Sequence, residues 1–252
     1  MTCLLPGLMN ARSLPLRAFA VSAAALTLCV SRPLTAAETW GGSLATASDY
    51  YVRGISRSHH EPALQAELHL ATDGGFIGGL FASSVQFNAR DNRGAELSGF
   101  VGFAWTMSDA WRARALASYY GYPGNIAGTR YDYAELSAET SYDDWLNLNM
   151  VYSPDAPRYV YGRGLTGVTA TSVEATALSP WRNRFAASGG VGYSRLGGVG
   201  GERYLYWSAG AMMDLAPLTI SAAYVSTTAE ASALYDGAAA HNRWTASLIW
   251  RF

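Results

Sequence analysis

Several runs set polar side chains two or four residues apart: Glu67 and His69, Arg112 and Arg114, Glu135 and Glu139, Asn147 and Asn149. In a strand such spacings put both groups on one face. Strands curled round a lumen would turn these groups inward. Arginines opposed to acids across a wet passage set a transverse field and a solute preference. The same groups pairing across a closed lumen would instead make a packed polar core. The many Gly, Ala and Ser residues on the same parity leave room, which favours a narrow passage. Groups for covalent chemistry are sparse. The four histidines are His59, His60, His69 and His241, none spaced as a triad member, and no G-x-S-x-G run occurs. His59, His60 and Glu61 are adjacent in a connection and do not make a closed metal site unaided. No cofactor is expected. Arg53, in Tyr51-Val52-Arg53-Gly54, either sits at a pore mouth or pins the first connection.

The elements that would hold these groups are strands. The last ten residues show the pattern best. Phe252, Trp250, Leu248, Ala246 and Trp244 form one apolar parity, against Arg251, Ile249, Ser247, Thr245 and Arg243. A strand ending on an aromatic residue suits a barrel whose last strand closes onto its first. Alternating segments predict twelve strands: 40–52, 63–70, 76–87, 95–105, 111–119, 131–140, 145–152, 165–175, 184–193, 204–213, 218–225 and 243–252. Their connections alternate long (54–62, 88–94, 121–130, 153–164, 194–203, 227–242) with short (73–75, 107–109, 141–144, 179–183, 214–217). Tight periplasmic turns, longer external loops and an even strand number are the pattern of a transmembrane antiparallel β-barrel. Aromatics cluster at segment ends, where interfacial girdles sit, and charge is missing from the apolar parity.

Residues 1–37 read as a signal peptide. Arg12 and Arg17 precede the apolar run Ala18 to Val30, which is too short to span a bilayer as a helix. Thr35, Ala36 and Ala37 suit cleavage before Glu38. A lipoprotein reading through Cys29 is weaker, because Leu28 before it is bulky. Residues 38–252 then form a single domain without cysteine, as suits an oxidising periplasm. Removing Arg12, Arg17 and Arg32 leaves fifteen basic residues against nineteen acids, a net charge of −4. Nothing in this balance suits a nucleic-acid partner.

An ordered series of runs resembles a proteobacterial family, the TorF-type porins (Gcw_chp). It begins with Ser48-Asp49-Tyr50-Tyr51-Val52-Arg53-Gly54-Ile55-Ser56. Pro62-Ala63-Leu64-Gln65, Gly75-Phe76-Ile77-Gly78-Gly79 and Ser83-Ser84-Val85 follow, then Glu96-Leu97. Tyr119-Tyr120-Gly121-Tyr122-Pro123-Gly124, Asp132-Tyr133-Ala134-Glu135-Leu136 and Tyr152-Ser153 complete it. The family's acid after Glu-Leu is absent here, where Ser98-Gly99 stands. The resemblance covers residues 48–152 and implies a class, not a substrate.

The expectation is an all-β, twelve-stranded outer-membrane barrel, exported by the general secretory route and passing small hydrophilic solutes. Its partners would be outer-membrane lipid, lipopolysaccharide and the barrel-assembly machinery, the last reading Trp250 and Phe252. Candidate pore-lining residues are Glu67, His69, Arg112, Arg114, Glu135, Glu139, Asn147 and Asn149. Alternatives are a non-conducting barrel serving structure or surface binding and, more remotely, an outer-membrane lipid hydrolase.

Overall fold

The computed structural model describes residues 39–252 apart from 87–92, 124–130, 161–163, 181, 199–200, 236 and 238. The expected signal peptide and most of the connections at 88–94 and 121–130 therefore lie outside the described residues. Period-two alternation becomes twelve long strands: β1 (Thr39–Ala47), β4 (Ala63–Ala71), β5 (Phe76–Gln86), β6 (Arg93–Thr106), β7 (Trp111–Gly121) and β8 (Tyr133–Tyr142) come first. β9 (Leu146–Val160), β10 (Gly164–Leu178), β11 (Phe185–Leu196), β12 (Arg203–Leu215), β13 (Leu218–Thr227) and β14 (Arg243–Arg251) follow. Between β1 and β4 lie two short strands, β2 (Tyr51–Val52) and β3 (Ile55–Ser56), and helix α1 (Ala229–Leu234) follows β13.

Each long strand pairs antiparallel with its neighbours, and β14 returns to β1, so the sheet is a closed barrel. The seam register runs Ser43↔Arg251 to Ala47↔Ser247. Phe252 extends it: Gly42 N–H donates to its carbonyl at 3.0 Å, and its own N–H donates to Gly42 O at 3.1 Å. Closure matters because an unpaired backbone group in hydrocarbon costs several kcal/mol, and only a closed sheet has no edge.

The outward parity is apolar and exposed, with Leu64, Leu68, Leu80, Val101, Leu136, Met150, Val173, Val191 and Leu248 around the wall. Aromatics cap it at both ends. Trp40, Phe76, Trp105, Trp111, Trp145 and Trp250 lie towards the short turns, and Tyr119, Tyr152, Trp207 and Trp244 towards the long connections. No helix among the described residues is long and apolar enough to cross a membrane. The crossing elements are strands.

Two expected boundaries need correction. The first segment is not one strand to Val52: β1 ends at Ala47, and the chain turns into the β2–β3 hairpin. The stretch expected as a loop at 153–164 is mostly ladder. β9 and β10 pair out to Val160↔Gly164, with one irregularity between Val168 and Ala170. Beyond Tyr152 and Ala170 this hairpin has no ladder to β8 or β11, so it projects past the barrel wall.

Candidate functional site: the lumen and its inserted hairpin

The inner wall is read from register. Across β7 to β12, one row runs Arg114↔Glu139↔Asn149↔Glu174↔Gly192↔Tyr206. Arg114 and Glu139 are therefore neighbours on adjacent strands. Arg114 Nε donates to Glu139 Oε2 at 2.9 Å, its Nη2 is in contact with the same oxygen, and Asn147 Nδ2 donates to Glu139 Oε1. Gly192 has a specific reason here: a Cβ would lie 2.1 Å from Tyr206 Cζ. The missing side chain lets the Tyr206 phenol lie over β11 and donate to Glu174 at 2.8 Å.

The feature that the sequence reading misplaced is the β2–β3 hairpin. Arg53 and Gly54 both take left-handed backbone, with φ of 52° and 78°, as a two-residue primed turn requires. The turn reaches into the lumen. Arg53 grips Glu135 of β8 with both guanidinium nitrogens at 2.8 Å. Tyr204 of β12 donates its hydroxyl to Arg53 O at 3.2 Å. A Cβ on Gly54 would come within 2.7 Å of Tyr206 Cβ and 2.6 Å of Thr227 Cγ2, so only a bare backbone passes that closely. Burial acts to lower the Arg53 pKa, but Glu135, with the Tyr133 and Tyr120 phenols, holds it above the ordinary arginine value.

The root of the hairpin is fastened by Asp49, which is buried. It accepts from Ser56 Oγ at 2.6 Å and Ser58 Oγ at 3.0 Å, and its Oδ2 lies 2.6 Å from His60 Nδ1. Both serines spend their protons on the carboxylate and none on an imidazole. They are anchors, not nucleophiles activated by a base. The phenols of Tyr50 and Tyr122 donate to Glu96 at 3.0 and 2.6 Å. Tyr50, Val52, Phe81, Val85, Tyr122 and Tyr133 pack as one apolar cluster on this side of the hairpin. Ile55, Tyr204, Tyr206, Ala231, Ala239 and Ala240 pack as another, which joins α1 to it. The hairpin thus narrows the long-loop end of the lumen.

Below the hairpin tip a polar cavity of about 110 Å³ remains. Of the sequence candidates, Arg114, Glu135, Glu139, Asn147 and Asn149 face it. Glu67 and His69 lie 3.2 Å apart near the seam, on another part of the wall. Arg112 pairs with Asp144 in the short turn before β9 and is partly exposed at the rim. Arg112 and Arg114 therefore pair with acids beside them on the wall. Arg53, already marked for a pore mouth or for pinning the first connection, also lines it, together with Glu96, Glu174 and Tyr206, which the strand pattern does not single out. The available signal was Arg53-Gly54 flanked by Tyr51-Val52 and Ile55-Ser56, a hairpin signature. Among the described residues no three His, Cys, Asp or Glu side chains converge as metal ligands.

This is a porin-type barrel: a closed twelve-stranded wall, apolar outside and polar within, of the kind that sits in an outer membrane. The KdgM porin superposes with a TM-score of 0.50 at 6% identity, covering 85% of this chain and 99% of that one. The NanC porin gives 0.53 at 10%, covering 84% and 98%. At such identities the likeness is one of fold. Residues 34–251 match the family described as a bacterial protein of unknown function (Gcw_chp), and the chain belongs to that family. No curated protein sequence matches it.

Proposed function

We propose that the protein is a narrow outer-membrane channel for small hydrophilic solutes, with the β2–β3 hairpin as its constriction. In this reading the TorF-type porin class suggested by the ordered motifs fits the chain. Arg114, Glu135, Glu139, Asn147 and Asn149 line the passage, Glu67 and His69 line its wall near the seam, and Arg112 sits at its periplasmic rim. Residues 1–37 are removed during general secretory export. Outer-membrane lipid and lipopolysaccharide surround the apolar belt, and Trp250 and Phe252 address the chain to the barrel-assembly machinery.

The observation that carries this reading is the polar cavity directly beneath the Arg53–Glu135 contact. At about 10–15 Å³ per water, its 110 Å³ holds several waters or a hydrated ion. One similar solved structure is a KdgM porin in complex with disordered oligogalacturonate. A chain of sugars does not fit the cavity seen here, so smaller solutes are assigned. The rival reading, a non-conducting barrel, draws on the dense pairing around Arg53, Glu135, Arg114 and Glu139.

Osmotic swelling of proteoliposomes tests the assignment. Urea and glycine are expected to enter, and a trisaccharide is expected to be excluded. Impermeability to urea and glycine alike, with the barrel shown to be folded, would leave the non-conducting reading standing.

A further inference from the structure

We infer that Glu174 sets the charge preference of this lumen and makes it favour cations. This rests on the channel reading above. Four carboxylates face the cavity, Glu96, Glu135, Glu139 and Glu174, against the guanidinium groups of Arg53 and Arg114. Two of the four are ion-paired. Arg53 holds Glu135 through two contacts, and Arg114 holds Glu139. Glu96 is almost fully buried behind its two phenol donors, which withdraws it from the passage.

Glu174 differs. Its hydrogen bond comes from the neutral Tyr206 phenol, and no guanidinium among the described residues is in ion-pair contact with it; the nearby Arg53 charge is already held by both oxygens of Glu135. A phenol stabilises a carboxylate without cancelling its charge. Gly192 makes that arrangement possible, since any larger residue would push the phenol away from Glu174. Next to Glu174 on β9, Asn149 has an amide oxygen that is buried and unpaired. A cation passing below the hairpin tip meets the Glu174 carboxylate, with the unpaired Asn149 amide dipole behind the wall beside it. An anion meets an uncompensated negative charge in a passage too narrow for screening by bulk salt.

Reversal potentials in planar bilayers under a KCl gradient test this. The wild-type channel is expected to prefer potassium over chloride. Glu174→Gln, nearly isosteric, should lower the permeability ratio by at least about two-fold. Arg114→Gln uncovers Glu139 and should raise the ratio. Opposite movements cannot come from a common folding defect, and heat-modifiable migration of both variants checks the barrel independently. A conducting wild type that prefers chloride overturns the inference while leaving the channel reading intact. So does an unchanged ratio in Glu174→Gln, the result expected if this side chain carries no charge. A silent bilayer overturns both.

Discussion

Arg53 and Glu135 are the residues on which the lumen turns. Glu135 is buried and Arg53 largely so, and each terminal guanidinium nitrogen has its own carboxylate oxygen at 2.8 Å. Burying two ions is expensive, so such a pair adds little net stability over an apolar replacement, whereas losing one partner strands the other charge. Glu135→Gln is therefore expected to destabilise the barrel by about 1–3 kcal/mol. The double replacement Arg53→Met with Glu135→Leu should recover most of that loss. Urea unfolding in lipid vesicles reads both, and a double variant no more stable than the single would show that the pair is not coupled. The two residues were legible singly, Arg53 as a pore-mouth or loop-pinning group and Glu135 as a wall residue, but not as partners. Residue type and spacing put Glu135 on an inward face, but Arg53 comes from a distant stretch, and its partner is fixed only once the hairpin is folded back.

At the scale of elements, the strands were the readable part. Most of the twelve follow the period-two alternation, because each separates lipid from lumen and a one-residue slip would turn its apolar side inward; 40–52 and 165–175 are weakly patterned and 76–87 is apolar on both parities. The hairpin was hidden because residues 40–52 are weakly patterned and no glycine or proline between Ser48 and Arg53 marks the end of β1 at Ala47. Only the left-handed Arg53-Gly54 turn marks where the chain reverses. The extension of β9 and β10 was hidden by Pro154 and Pro157, which read as loop residues, although two strands beyond a barrel rim tolerate prolines on a free edge. The seam carries a prediction of its own. Phe252 exchanges two backbone hydrogen bonds with Gly42, and its ring lies so close over Gly42 that a Cβ there would meet Phe252 Cζ at 2.8 Å. Deleting Phe252 is expected to reduce insertion into outer membranes severalfold, with little change in the conductance of the barrels that do assemble. Normal insertion with altered conductance would place Phe252 in the passage instead of at the closure.

For the whole molecule, the number of strands and the apolar belt follow from alternation, but the contents of the lumen do not. Parity places Arg112, Arg114, Glu135 and Glu139 on the inner face without saying which lie abreast. Register makes Arg114 and Glu139 lateral partners and carries Arg112 to the rim. The central claim is that a barrel of porin type is narrowed by its own first connection. Its most direct test uses the pairing of Ala47 with Ala63 on adjacent strands, which lets a short Gly-Ser turn replace residues 48–62 without changing the barrel register. Unitary conductance of the two proteins in planar bilayers decides the matter. The account predicts small, steady openings for the wild type and a severalfold larger conductance for the shortened chain; equal conductance in both, or silence from a folded shortened barrel, would contradict it.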